Sequence, residues 1–136
     1  MMLDLTKERH AHIDARLRSN IMIWLSTVKP DGTPHLVPVW YLWDGDSIYI
    51  YSKPDQKIRN LKQNSAVMLG LDNTNEGEDP IMIAGQATLL PREDALTTQP
   101  AYVAKYQSLL NSFNWTDVSM AQEYSEPIRI RPTRFF

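Results

Sequence analysis

Ser26-Thr27-Val28-Lys29-Pro30-Asp31-Gly32-Thr33-Pro34-His35-Leu36-Val37-Pro38-Val39-Trp40-Tyr41 is the stretch that decides the fold. It reads as the end of one strand, a tight turn and most of a second strand. Residues 21–28 form a strand-length run that is apolar on both faces. Lys29-Pro30-Asp31-Gly32 places proline at the second turn position and glycine at the fourth, the pattern of a type I turn. A long strand over residues 33–43 follows. Asp44-Gly45-Asp46 is a second hairpin signal, and residues 47–52 (SIYIYS) complete a three-strand meander.

Working outward, residues 53–62 read as a short helix. Pro54 lies where a first turn tolerates it, and Ile58 and Leu61 are spaced to pack on the sheet. Residues 66–71 make a fourth strand, 72–79 an acidic, solvated loop, and 81–90 a fifth strand in which Gly85 marks a bulge or close backbone approach. A helical stretch starts at Pro91 and runs to about Asn111 with a break at Pro100. Residues 127–134 (PIRIRPTR) are a last short strand. At the other end, residues 5–20 are helical, with Thr6 as N-cap and Leu5, Ile13 and Leu17 on one face. Antiparallel strands with short turns and few helices predict an α+β chain: a small antiparallel β-barrel of about six strands with flanking helices, in a single domain over residues 1–136.

Composition narrows the function classes. The 136 residues have no cysteine, which removes disulfide frameworks and thiolate metal sites. Neither an apolar run long enough to span a membrane nor an N-terminal apolar signal segment appears, so a cytoplasmic location is expected. A net charge of −2 argues against gripping nucleic acid by bulk charge. His10, His12 and His35 lack metal-ligand spacing, and no glycine-rich nucleotide loop is present.

Both faces of the second strand are apolar. One carries His35, Val37, Val39 and Tyr41; the other carries Leu36, Pro38, Trp40 and Leu42. A barrel needs only its inner face apolar. The outer face therefore calls for helices, a second subunit or a flat aromatic ligand, and the chain has limited helical material. A homodimer is expected. Pro38 has no N–H to donate, which places it on an edge or a bulge and leaves backbone groups beside Val37 and Val39 open to a ligand.

Lys53, Lys57 and Arg59 surround the start of the short helix, whose first turn offers unpaired N–H groups and a positive dipole end. Ser52 adds a hydroxyl. In charge and donors this suits a phosphate. Lys57, at the start of a short helix, is expected to be exposed. An aromatic strand beside a phosphate grip matches the needs of a flavin mononucleotide or a deazaflavin.

The 26–41 stretch, with Asp44-Gly45-Asp46, Ile48-Tyr49-Ile50-Tyr51-Ser52-Lys53 and Lys57-Ile58-Arg59-Asn60-Leu61, resembles the pyridoxamine 5′-phosphate oxidase-like flavin-binding split-barrel superfamily. The closing PIRIRPTR resembles the end of its F420-dependent branch. The resemblance covers residues 21–90 and the last ten residues; residues 91–126 match only in helical character. It implies a homodimer of split barrels with FMN or F420 at the interface, with a slight lean to F420. By carry-over Lys53 and Lys57 hold the phosphate, Val37, Pro38, Val39 and Trp40 lie along the ring system, and Ser26, Thr27, Tyr51 and Ser52 line the pocket. Arg129 and Arg131 either reach the partner's site or sit solvated on an edge strand. The implied activity is hydride transfer to or from a small conjugated organic substrate by a flavin-type oxidoreductase. The catalytic residue is unknown, because the cofactor carries the redox step. The alternative is a non-enzymatic FMN or F420 carrier, or a redox sensor. No segment like the C-terminal substrate segment of the true pyridoxamine phosphate oxidases is recognised in these 136 residues, so vitamin B6 oxidation is not expected.

Overall fold

The computed structural model describes residues 3–94 and 100–136. Its frame is an antiparallel sheet of β1 (Met22–Val28), β2 (Pro34–Trp40), β3 (Leu42–Trp43), β4 (Ile48–Ser52), β5 (Ala66–Leu71), β6 (Ile81–Leu89) and β7 (Glu126–Phe135), in the order β2-β1-β5-β6-β7-β4-β3. Among the described residues four α-helices flank it: α1 (Glu8–Ser19), α2 (Gln56–Gln63), α3 (Pro100–Ser112) and α4 (Asp117–Glu123). This is the predicted α+β split barrel, with seven strands among the described residues rather than about six.

The extra strand has a local cause. The long strand predicted over 33–43 breaks at Tyr41, so β2 pairs with β1 while β3 pairs with β4. Tyr41 takes its hydrogen bonds from α3 instead of a neighbouring strand. Its N–H donates to the Tyr106 hydroxyl at 2.8 Å, and its carbonyl accepts from Lys105 Nζ at 2.8 Å. The two edges of the sheet are thus two pieces of one chain segment.

The turns follow the residues that predicted them. Gly32 N–H donates to the Lys29 carbonyl at 2.9 Å and Lys29 N–H to the Thr33 carbonyl at 2.9 Å. At Gly32 φ is +90°, a conformation that side-chain-bearing residues rarely adopt. Gly85 lies at a register shift between β6 and β7, where Gly85 faces Pro132 while Ala84 faces Arg134. A Cβ at Gly85 would sit 2.9 Å from Ile130 Cγ2 and 3.0 Å from the Arg131 carbonyl oxygen.

Ile23, Leu25, Leu69, Ile83, Ile128 and Ile130 fill the sheet's inner face. Ile13 and Leu17 of α1 join the same core, as do Ile58 and Leu61 of α2. Leu5 does not; it is exposed. Nor is Thr6 the N-cap. Its N–H and hydroxyl both bind Asp4, and α1 starts at Glu8 after Lys7. The acidic loop is largely exposed, as expected, but its last residue is tied down: Arg9, His12 and Arg16 of α1 converge on Asp79. The His12 hydrogen bond, with the charges of Arg16 and Arg9, holds the Asp79 carboxyl below the usual carboxylate range. β7 is an interior strand, not an edge. Arg129 on it binds Ser47 and Asp46 of the second hairpin, while Arg131 is exposed.

After β6 the chain makes a 3-10 turn at Arg92–Asp94, and α3 runs over Pro100–Ser112. The part of the predicted helix over residues 95–99 lies outside the described residues. Helix α4 was not foreseen. Thr116 and Ser119 cap its start reciprocally.

Candidate functional site

Helices α3 and α4 pack outside the barrel and build a second apolar cluster with Tyr51, Tyr102, Tyr106, Leu110 and Met120 at its centre. Trp40 stacks flat on Tyr106, with ring centroids 4.4 Å apart and planes 2° from parallel. Tyr51 meets Tyr102 edge to face at 4.8 Å. Between this cluster, edge strand β2 and the start of α2 lies a cleft of about 880 Å³.

Three walls form it. Val37, Pro38, Val39 and Trp40 of β2 make one, with Ile21 and Met22 beside them. Because β2 ends the sheet, one side of its backbone is not paired within it. The second wall is Lys53, Asp55 and Lys57 at the start of α2. The third is aromatic and comes from the helical segment: Tyr102, Phe113, Trp115, Met120 and Tyr124. Tyr51 lies between the first and second walls in sequence and also lines the cleft.

The charged wall differs from expectation in detail. Lys53 precedes the helix, and Pro54 stands two residues before its first turn. Lys53 remains exposed, 3.8 Å from Glu123 and with its ammonium 5.4 Å from the Tyr124 ring centroid. Lys57 is not exposed. It is 9% accessible, with Nζ 2.6 Å from an Asp55 carboxylate oxygen. Asp55 occupies the N-cap position yet caps no N–H, because its side chain turns to Lys57. Arg59 points elsewhere, to Gln56, and is not part of the cleft wall.

Seven of the predicted site residues therefore meet at one cleft: Val37, Pro38, Val39, Trp40, Tyr51, Lys53 and Lys57. Ser26, Thr27 and Ser52 are not among its lining residues. Thr27 is fully buried and accepts a 2.9 Å hydrogen bond from Asn60 Nδ2, which ties α2 to β1. Ser52 donates to the Lys53 carbonyl at 2.6 Å and fixes the turn into α2. Both support the charged wall from behind. Ser26 lies opposite Leu36 and Met68 on the outer face of the sheet. Sequence reasoning missed Asp55 and the whole helical wall. The spacing of Tyr102, Tyr106 and Leu110 marks one helix face, but nothing in it says which face of the barrel it covers.

The model of the pyridoxamine 5′-phosphate oxidase family matches residues 10–135. The chain belongs to this family. An F420 reductase structure shares 26% identity with it over 90% of this chain and 94% of that chain, with a TM-score of 0.68. An FAD-binding protein from Mesorhizobium loti aligns at 22% identity over 92% and 88% of the two chains, TM-score 0.67. HutZ, the heme storage protein from Vibrio cholerae, aligns at 15% identity over 100% and 94%, TM-score 0.66. The last two likenesses carry the fold alone. No curated protein matches the sequence. The cleft described above lies within the family's general flavin-binding fold. No described helix is long and apolar enough to cross a membrane.

Proposed function

We propose that this chain is a flavin-type oxidoreductase that holds FMN or F420 in the β2–α2 cleft and exchanges hydride with a small conjugated organic substrate. One observation carries the reading. Lys57, a buried ammonium, lines the same cleft as the edge strand Val37–Trp40. A buried lysine needs an anion, and Asp55 plays that part.

The residues fit the group. Lys53 and Lys57 would take the phosphate, with the first-turn N–H groups of α2 that Asp55 leaves uncapped. The unpaired side of β2 would offer backbone donors and acceptors to the ring's polar edge, and Pro38 withholds an N–H there. When bound, such a cofactor supplies the two-electron chemistry. The chain's own part is to orient the ring and keep water from it with apolar walls. Thr27 and Asn60 keep α2, and so Lys57, at a fixed distance from the sheet.

The proposed assembly is a homodimer. Leu36, Trp24, Met68 and Met82 are 60%, 43%, 41% and 42% exposed. The pairings Leu36–Ser26–Met68 and Trp24–Gly70–Met82 place them on one face of adjoining strands. Helix α3 covers the Trp40 end of β2 and leaves this stretch bare. An uncovered apolar sheet face of this kind marks an interface.

A second reading has one observation in its favour. Among the described lining residues the charged ones are Lys53, Asp55 and Lys57 and none is a histidine, while Glu123 on the helical side is paired with Lys53. A carrier or redox sensor would need no histidine. Titration of FMN and F420 into the purified protein, followed by stopped-flow mixing of the reduced complex with enones and quinones, tests both. Micromolar binding with reoxidation faster than free cofactor is expected. Binding without acceleration would favour the carrier, and no binding of either cofactor would remove both readings.

A further inference from the structure

The cleft is divided by charge. Its three ionisable cations and anions, Lys53, Asp55 and Lys57, all lie within five residues at the start of α2. Every lining residue contributed by α3, α4 and the segment between them is apolar or aromatic. Phe113 is 58% exposed and Ile21 48% exposed, so the aromatic end keeps apolar surface uncovered at its rim. Trp115 and Tyr124 brace one another, with ring centroids 5.9 Å apart. At about 880 Å³ the cleft is near the top of the range of about 300–1,000 Å³ for ligand pockets, which leaves space beside a first ligand for a second.

We infer that the α3–α4 wall is the substrate-recognition surface of this chain and takes an uncharged, planar, conjugated ring. The inference rests on the reading of the α2 end as the cofactor's phosphate site. Stacked or edge-on contact with Phe113, Trp115 and Tyr124 rewards flat aromatic area. A charged substituent over Phe113 and Trp115 would lose its hydration with no opposite charge among the lining residues of α3, α4 and the segment between them; the one lining cation beside this wall, Lys53, lies over Tyr124 and is paired with Glu123. An anionic group is accommodated only at Lys53 and Lys57, where the cofactor would already sit. The selectivity is therefore against charge as much as for flatness.

The probes are 1,4-naphthoquinone and 1,4-naphthoquinone-2-sulfonate. They are titrated into the wild-type protein and Phe113→Ala, empty and FMN- or F420-loaded, with tryptophan fluorescence as readout. The chain has no cysteine, so quinone addition to a thiol does not intrude. The neutral ring should bind at least about 10-fold more tightly than the sulfonate in the loaded protein. Phe113→Ala should weaken the neutral ring about 10-fold and leave cofactor affinity unchanged. Equal or tighter binding of the sulfonate would overturn the inference, as would failure of the neutral ring to bind. Loss of cofactor affinity in Phe113→Ala would also overturn it, by putting the cofactor ring on the helical wall. If neither cofactor binds the wild type, the flavin reading fails; the naphthoquinone pair on the empty protein still decides whether this wall selects uncharged rings.

Discussion

Lys57 Nζ lies 2.6 Å from the Asp55 carboxylate, and both side chains line the cleft. An ammonium that is 9% accessible is thereby neutralised by a residue two positions earlier in its own chain. A ligand phosphate would share or replace that contact.

Removing the cation should show this directly. Lys57→Met keeps the buried stem and deletes the charge. Loss of a charge-assisted hydrogen bond of about 1.5–3 kcal/mol should weaken FMN or F420 binding roughly 10- to 100-fold. Lys62, exposed near the other end of α2, is the control, and Lys62→Met should leave affinity within about two-fold. Equal weakening by the two variants, measured at fixed salt, would mean general charge attraction rather than a site.

Asp55→Asn should act in the opposite direction. It removes the resident anion that competes with a phosphate for Lys57. Asp55 is partly exposed, so the effect is modest: about 0.5–1 kcal/mol, or a two- to five-fold tightening by titration. Riboflavin, which has no phosphate, should show no change. Weaker FMN binding in Asp55→Asn would mean that the carboxylate positions Lys57 rather than opposing the ligand.

The dimer face is open to a test that needs no cofactor. Light scattering at micromolar concentration should give twice the 15.7 kDa chain mass. Trp24→Glu places a charge in the middle of Leu36, Met68 and Met82 and should shift the protein to monomer. A wild-type mass near one chain refutes the proposed assembly.

Gly85→Ala should destabilise the fold by about 1–3 kcal/mol. The new methyl meets a backbone carbonyl oxygen at 3.0 Å as well as Ile130 Cγ2 at 2.9 Å, and only the side chain can yield cheaply. Urea unfolding measures it. Unchanged stability would show that the β6–β7 bulge has slack.

Burial lowers the Lys105 pKa to about 8, below the ordinary lysine value of 10.5. Below pH 8 both folded and unfolded chains carry the proton, and the folded chain bears the full cost of the part-buried charge. Between about pH 8 and 10.5 the unfolded chain binds more protons, so stability should rise with pH across that window relative to Lys105→Met. Lys105 is only half-buried and its ammonium lies 3.8 Å from the Tyr41 ring centroid, so the gain is discounted to the order of 1–2 kcal/mol. Denaturant curves at pH 7.5 and 10 check it. A flat difference would place the titration at the ordinary value.

What was legible in the sequence depended on how local the physics was. Gly32, Gly45 and Gly85 announced two hairpins and a bulge because each needs a backbone state or a close approach that only glycine meets. The Tyr41 break was hidden. Apolar alternation continues through it, and its cause is a hydroxyl 65 positions away on Tyr106. The burial of Lys57 was hidden for a related reason. Position in a helix predicts which way a lysine points, but not that Asp55 turns onto its ammonium. Of the site, the β2 and α2 walls came from short motifs, while the α3–α4 wall required the tertiary structure.

Tyr41 also has a consequence for how the barrel can be watched. In an ordinary strand an amide proton is shielded by its neighbouring strand, and it exchanges with solvent when the sheet opens. The Tyr41 amide is held by the Tyr106 hydroxyl instead, and that hydroxyl lies within hydrogen-bonding distance of the Ile21 carbonyl, at 2.6 Å, as well as the Tyr41 carbonyl. Deuterium uptake at this one amide therefore reports the lifting of α3, separately from any breathing of the strands on either side. It is a built-in clock for the helix that walls the cleft.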